Sequence, residues 1–240
     1  MSTQKKIALI TGANKGLGLE IARQLGKQNH TVLIASRDLK KAEEAANLLR
    51  AESLDVKAIE LDVTKPEQIK AAVAQVEKDF GKLDVLINNA GIFVDSGNAS
   101  SVEQMRETFE TNVFAPYAVT EAFLPLLDKS DAPRIVQHSS VLGSLATLSA
   151  NDTMASMTGP AYSASKSALN MLTVLLAKRL ADKPKFKVNA AHPGWVKTDL
   201  GGPGAPLEVD VGAQTAVQLA TLGADGATGG YFHLGQTLAW

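Results

Sequence analysis

The chain has 240 residues, with 24 basic and 25 acidic side chains for a formal net charge of −1, and no cysteine. The missing cysteine excludes disulfides, thiolate nucleophiles and cysteine-ligated metals, and a charge balance without a dominant basic run excludes nucleic acid as the expected partner. No apolar stretch approaches the ~20 residues of a membrane span, and the opening MSTQKKIALITG is structured too soon for a signal peptide, so a cytoplasmic globular protein without a membrane partner is expected.

KIALIT, residues 6–11, is predicted to be a strand from its β-branched content and the glycine that stops it, and GLEIARQLGKQ after it a helix. TVLIAS (31–36) reads as a second strand and DLKKAEEAANLLRAE as a second helix, with Asp38 placed to cap it. VKAIELDV (56–63) is a third strand, followed by the helix KPEQIKAAVAQVEKDF with Pro66 near its first turn. LDVLINNAG (83–91) is almost wholly apolar, which predicts a strand buried on both faces. A long helical segment covers 102–128, with a bend expected at Pro116. RIVQHSS (134–140) is a fifth strand, AYSASKSALNMLTVLLAKRLA the helix after it, and FKVNAAHPG (186–194) a sixth strand. A helix near 209–222 and a strand in GGYFHLG complete the pattern. Such alternation predicts a single α/β domain: a doubly wound parallel sheet of about seven strands with helices on both faces. The segments 144–160 and 194–209 interrupt it. Both follow strand carboxyl ends, where open α/β sheets bind ligands, so both are expected to be substrate-site loops.

TGANKGLG, residues 11–18, lies between the first strand and the first helix. Gly12, Gly16 and Gly18 remove side chains where a backbone must approach a pyrophosphate, and the helix behind them offers free N–H groups and a positive dipole end. The spacing differs from the common Gly-x-Gly-x-x-Gly fingerprint, and a terminal Lys-Ser/Thr is missing, so the loop is not a P-loop. Further on, Tyr162 and Lys166 stand four residues apart on a predicted helix, so both side chains point into one cleft. Scattered histidines without local ligand spacing argue against a catalytic metal, and His138 and His192 are expected to be satisfied structural residues.

The segments TGANKGLG, NNAG (88–91), YSASK (162–166) and PGWVKTD (193–199) resemble, in order, the motifs of the short-chain dehydrogenases/reductases, and the likeness spans nearly the whole chain. Within that family NKGLG, ASRD and HPGWVKTDLGGPGAP look most like the NADPH-dependent carbonyl reductases. The resemblance implies a Rossmann-like fold and a catalytic group of Ser140, Tyr162, Lys166 and Asn112. Tyr162 would be the general acid in reduction, and Lys166 would lower its pKa and hold the nicotinamide ribose. Ser140 would orient the carbonyl, with Ser139 left as a buried, backbone-bonded serine, and Asn112 would anchor a water-bearing proton relay to Lys166.

For the cofactor the resemblance implies Gly12, Asn14, Lys15, Gly16, Leu17 and Gly18 at the pyrophosphate, and Asp62 and Val63 at the adenine. Asn89, Ala90 and Gly91 would line the ribose side, and Pro193, Gly194, Val196 and Thr198 would hold the carboxamide. Asn88 serves equally well as a structural bond, and Asp62 as a cap for the next helix. Ser36 replaces the acid that selects NAD, and Arg37 with Lys15 would grip a 2′-phosphate, so NADPH is the expected cofactor. Phe93, Leu142, Met154 and Trp195 are expected at an apolar mouth, with Met154 and Met157 as adaptable contacts in the 144–160 segment. The substrate would be a small ketone or aldehyde. An alcohol dehydrogenase working in oxidation and a catalytically silent NADP-binding sensor are the alternatives, and monomer and homo-oligomer stay open.

Overall fold

The computed structural model describes residues 5–95, 97–151, 154–155 and 159–240. Its strands are β1 (Ile7–Thr11), β2 (Thr31–Ser36), β3 (Val56–Glu60), β4 (Val85–Asn88), β5 (Arg134–His138), β6 (Lys187–Ala191), β7 (Tyr231–His233) and β8 (Gln236–Thr237), forming one sheet in the order β3-β2-β1-β4-β5-β6-β7-β8. Every neighbouring pair is parallel except β7 and β8. β8 is a correction to the expected count of about seven. It is two residues long, turned back by Leu234 and Gly235, both at positive φ, and a hairpin this short leaves no periodic signal.

The helices α1 (Gly16–Lys27), α2 (Leu39–Ala51), α3 (Pro66–Phe80), α4 (Val102–Phe109), α5 (Ala115–Asp128), α6 (Leu145–Ser149), α7 (Pro160–Arg179) and α8 (Val209–Ala220) cover both faces of the sheet. β1, β2, β4 and β5 are buried at every residue, which is why β1, β2 and β4 read as largely apolar runs, whereas β5 also buries Arg134, Gln137 and His138. The pleat sorts their side chains. Ala8 and Ile10 pack with Ile21, Leu25 and Leu49 beneath α1, α2 and α8, while Ile7 and Leu9 pack with Ile69, Val76 and Phe123 beneath α3 and α5. The edge strand β3 alternates buried and exposed positions over part of its length.

The helical segment 102–128 is not simply bent at Pro116. A π-helical turn, Glu110–Phe114, joins α4 to α5, and the Ala115 N–H donates to the Glu110 carbonyl. Pro116 has no N–H to offer the carbonyl of Asn112 four residues back, so the α-helical ladder cannot run through this point, and the wider turn absorbs the mismatch. Asn112 therefore sits at a break whose cause is in the sequence. The strand order reverses direction between β1 and β4, and their carboxyl ends open the crevice where such sheets take ligands. No helix among the described residues is long and apolar enough to cross a membrane.

Candidate active site

The glycine loop leaves β1 at this crevice. Gly12 and Gly16 have φ of 63° and 56°, a conformation that glycine adopts without strain. Gly18 has a different reason to lack a side chain: a Cβ there would stand 2.6 Å from Nδ2 of Asn89. That amide donates to the carbonyls of Thr11 (2.9 Å) and Gly12 (3.2 Å), strapping the loop to the end of β4. Asn88 points elsewhere and donates to the Thr120 hydroxyl at 2.8 Å, a structural bond. Ala90 lies 3.0 Å from where a Gly12 Cβ would be, and Leu17 packs towards Gly212 on α8. Asn14 is half-buried within the loop. At the end of β2, Ser36 is buried and its hydroxyl accepts from the Asp38 N–H at 3.3 Å, while Asp38 caps α2 through Lys41 as expected. Arg37 is exposed beside them.

Asp62 accepts from the N–H and the hydroxyl of Thr64 at 3.0 and 2.7 Å. Burial pushes its carboxyl up, but those bonds and the nearby Lys65 and Arg37 cations pull it below its ordinary value. The side chain therefore closes a turn ahead of α3, whose own cap position is Lys65. Val63 packs partly buried against the core. Lys15 forms an exposed ion pair with Asp199 at 2.5 Å, linking the glycine loop to the 194–209 segment. A Cβ on Gly16 would meet Thr198 at 3.7 Å, and Val196 is buried. Pro193 and Gly194 follow β6, with Gly194 at φ 88°.

Beside this cleft stand Tyr162 and Lys166, both buried on α7. The Lys166 ammonium donates to the His138 carbonyl at 2.8 Å and lies 5.5 Å from the centre of the Tyr162 ring. Room for it comes from Gly143, where a Cβ would be 2.6 Å from the Lys166 Cβ, while a Cβ on Gly91 would be in ordinary contact with Nζ. Ser140 follows β5, accepts from the Leu142 N–H at 3.3 Å, and its hydroxyl is near enough to the Tyr162 phenol to lower its pKa. The Asn112 amide holds Ile92 at both its N–H and its carbonyl, each at 2.9 Å, and donates to the Ser165 hydroxyl at 3.1 Å. Four residues from three separate segments, the end of β5, α7 and the π-helical turn, thus line one side of the cleft.

Burial pushes the Tyr162 phenol up to about 12, and the nearby Ser140 hydroxyl offsets only part of that. Burial also pulls Lys166 down to about 8. The lowered phenol pKa expected from sequence is not found. The ammonium is turned to the His138 carbonyl, and loss of solvent dominates the phenol. Two further expectations are corrected. Ser139 bonds a side chain, donating to Oδ1 of Asn170 at 2.6 Å, and His138 is buried with no partner for Nδ1. Burial first, then the Lys166 charge, holds His138 at about 3. His192, also at about 3 from burial and the His233 ring, accepts at Nδ1 from the Val141 N–H at 3.2 Å, next to Ser140.

Among the expected mouth residues, Phe93 meets the catalytic group through its side chain, its ring 5.0 Å from that of Tyr162, and Leu142 through its N–H on Ser140. Leu142 is half-buried in the short turn after Ser140, and Trp195 is exposed with its indole N–H bonded to the Gly201 carbonyl at 2.8 Å. The Met154 N–H is bonded to Asn151 at 2.9 Å, and Met157 lies outside the described residues. Sequence reasoning missed Ser165, which bridges Asn112 to the Tyr162 carbonyl (2.7 Å), and Asn170. An asparagine in the apolar run ALNMLTVLL was the one available signal for the latter.

A family model described as short chain dehydrogenase matches residues 6–204. The chain is 40% identical over 227 residues to the short-chain dehydrogenase anuI of Penicillium roqueforti, covering 91% of this chain and 90% of that one. It is 32% identical over 262 residues to carbonyl reductase (NADPH) 1 of Mus musculus, covering 94% of each chain. The solved carbonyl reductase Sniffer of D. melanogaster superposes with a TM-score of 0.83 at 31% identity, over 99% of this chain and 100% of that one. With the sheet order, the glycine loop and the four motifs in sequence order, these matches establish that the chain belongs to the short-chain dehydrogenase/reductase family of oxidoreductases.

Proposed function

We infer that the chain reduces a ketone or aldehyde to an alcohol with NADPH. The observation that carries this reading is Tyr162: a buried phenol, one helical turn from the buried Lys166 on the same helix, with Ser140 beside it. A group that keeps its proton at neutral pH is suited to giving it to an alkoxide as that charge develops, which is the demand of reduction. The likeness to carbonyl reductases supports the choice of carbonyl over other substrates.

The cleft fits a dinucleotide. The N-terminus of α1 has no side-chain cap and no acid in its first turn, so its N–H groups are available to a pyrophosphate. Gly12, Asn14, Lys15, Gly16, Leu17 and Gly18 would hold that group, Asp62 and Val63 the adenine, Asn89 to Gly91 and Lys166 the ribose, and Pro193 to Thr198 the carboxamide. Bound there, the nicotinamide supplies the hydride. The chain's own residues do the rest. Ser140 hydrogen-bonds the carbonyl oxygen and fixes where it sits, an oxyanion-hole role. Tyr162 releases its phenolic proton to that oxygen. Lys166, at about 8, is largely cationic at neutral pH and stabilises the tyrosinate left behind. The Asn112 carbonyl, denied its helical donor by Pro116, can hold the water through which the proton is replaced. Segments 144–160 and 194–209 would enclose the substrate.

Tyr162→Phe is expected to bind NADPH as the parent does and to lose about 10²–10⁴-fold in turnover. Cofactor titration by fluorescence and a ketone and aldehyde panel followed at the cofactor absorbance check this. A variant retaining more than a tenth of the parental turnover would remove Tyr162 from the role.

A further inference from the structure

We propose that Asp95 is a positioning residue that caps α7 from across the chain and thereby fixes Tyr162. The inference rests on the reading of Tyr162 as proton donor. Helix α7 cannot cap itself: its cap position is Gly159, which has no side chain, Pro160 offers no N–H, and the first turn holds no acid. Its first free donors are the amides of Ala161 and Tyr162. Asp95 takes both, accepting from Ala161 on Oδ1 at 2.9 Å and from Tyr162 on Oδ2 at 3.0 Å. One carboxylate thus closes two orphan donors and places a negative charge at the positive end of the helix.

Neighbouring contacts are built around this bond. Ser100 donates to Asp95 Oδ1 and also accepts from the Ala161 N–H at 3.2 Å. A Cβ on Gly159 would stand 2.1 Å from the Asp95 Cγ, so glycine there is what admits the carboxylate. On the other side, Ile92 is held at both backbone atoms by Asn112, and the Phe93 ring rests on Tyr162. The stretch 92–95 is therefore fastened to the helix break and to the catalytic helix at once. Because the bonded amide is Tyr162's own, losing the cap frees the phenol to shift relative to Ser140 just after β5. A displacement of about 1 Å is enough to cost roughly 10²-fold in rate.

The test moves the carboxylate. Gly159 has φ −73° and ψ 131°, an N-cap backbone that aspartate adopts readily. Asp95→Gly, Gly159→Asp and the double variant are compared by amide hydrogen exchange of the peptide around 159–164 and by kcat and KM. Asp95→Gly is expected to exchange about tenfold faster there and to lose about 10–100-fold in kcat, with the KM for NADPH changed far less. Gly159→Asp alone should also lose, because two carboxylates collide. The double variant, with the acid back at the helix end, should recover most of both. Unchanged exchange in Asp95→Gly, faster exchange with an unaltered kcat, or a folded double variant no better than Asp95→Gly would each overturn the proposal. Should Asp95→Gly fail to fold, Asp95→Asn, which keeps the shape and one acceptor, is expected to give intermediate losses, and parental values would overturn the cap. A parent without carbonyl turnover would sink the reductase reading, and exchange alone would then decide the cap.

Discussion

At the residue scale the choice of cofactor comes down to Ser36, Arg37 and Lys15. Ser36 puts a small neutral side chain where an acid would repel a 2′-phosphate, and its hydroxyl is occupied by the Asp38 amide. Arg37 is exposed at the mouth and near enough to Asp62 to lower its pKa. Lys15 shares its charge with Asp199, but both partners are exposed, so a phosphate can displace the carboxylate at small cost. A charge-assisted bond contributes about 1.5–3 kcal/mol, so NADPH should be preferred over NADH at least tenfold in KM. Ser36→Asp/Arg37→Ala should abolish or reverse that preference. KM for both cofactors in both proteins is the measurement, and a parent that uses NADH as well as NADPH would sink the assignment. These residues were legible in the sequence because each stands at a fixed offset from a strand end or a glycine. Asp95 and Asn170 were not. The helix-end amides, the Ser139 hydroxyl and the Gly143 carbonyl that they bond lie 27 to 67 residues away, and only the folded chain brings the partners together.

At the scale of elements, β1, β2 and β4 were legible because burial on both faces leaves them short apolar runs, whereas β5, which buries Arg134, Gln137 and His138, was legible only from Ile135 and Val136. The π-helical turn was not, since its cause is one missing N–H and not a pattern. The root of the 144–160 segment was hidden for another reason: its partners come from residues 239–240. The Ser144 hydroxyl donates to the Ala239 carbonyl at 2.8 Å, the Ala146 N–H to the Trp240 carbonyl at 2.9 Å, and the Trp240 ring stacks on Tyr231 at 5.3 Å. If 144–160 encloses the substrate, its first turn is held by that stack. Trp240→Ala should then change KM and the order of preference across a carbonyl panel. An aromatic pair contributes about 0.5–1.5 kcal/mol beyond its area, so the loss in Tm should stay within a few degrees, on the order of 2–4 °C per kcal/mol. Equal losses for every substrate, tracking a lowered Tm, would leave the stack a purely structural contact.

Over the whole molecule, the groups that the fold buries set how stability depends on pH. His138 and His192 are both held at about 3, chiefly by burial, and burial lowers His30 as well, against the pull of the Leu25 and Gln28 carbonyls. In the unfolded chain each histidine takes up a proton near 6.5. Below that value the unfolded state binds protons that the folded state refuses, so stability rises with pH through this window and falls as pH drops from about 6.5 towards 3. At pH 5, His138 and His192 should each have cost on the order of 1–2 kcal/mol relative to pH 7.5. Asp55 and Asp62, whose folded carboxyls lie below their ordinary value, add losses of the same sign at still lower pH. The alkaline side is mixed. The cost of burying the Lys166 ammonium, pulled to about 8, is relieved as pH rises from there towards 10.5, whereas the Tyr162 phenol at about 12 costs stability once pH passes 10. Urea unfolding at constant ionic strength, from pH 7.5 to 5, reads the acid limb directly. The midpoint should fall steadily with pH, and His138→Gln and His192→Asn should each flatten the slope whatever they do to stability at pH 7.5. A midpoint that does not move over this range, or variants that keep the parental slope, would mean that these histidines are protonated in the folded protein.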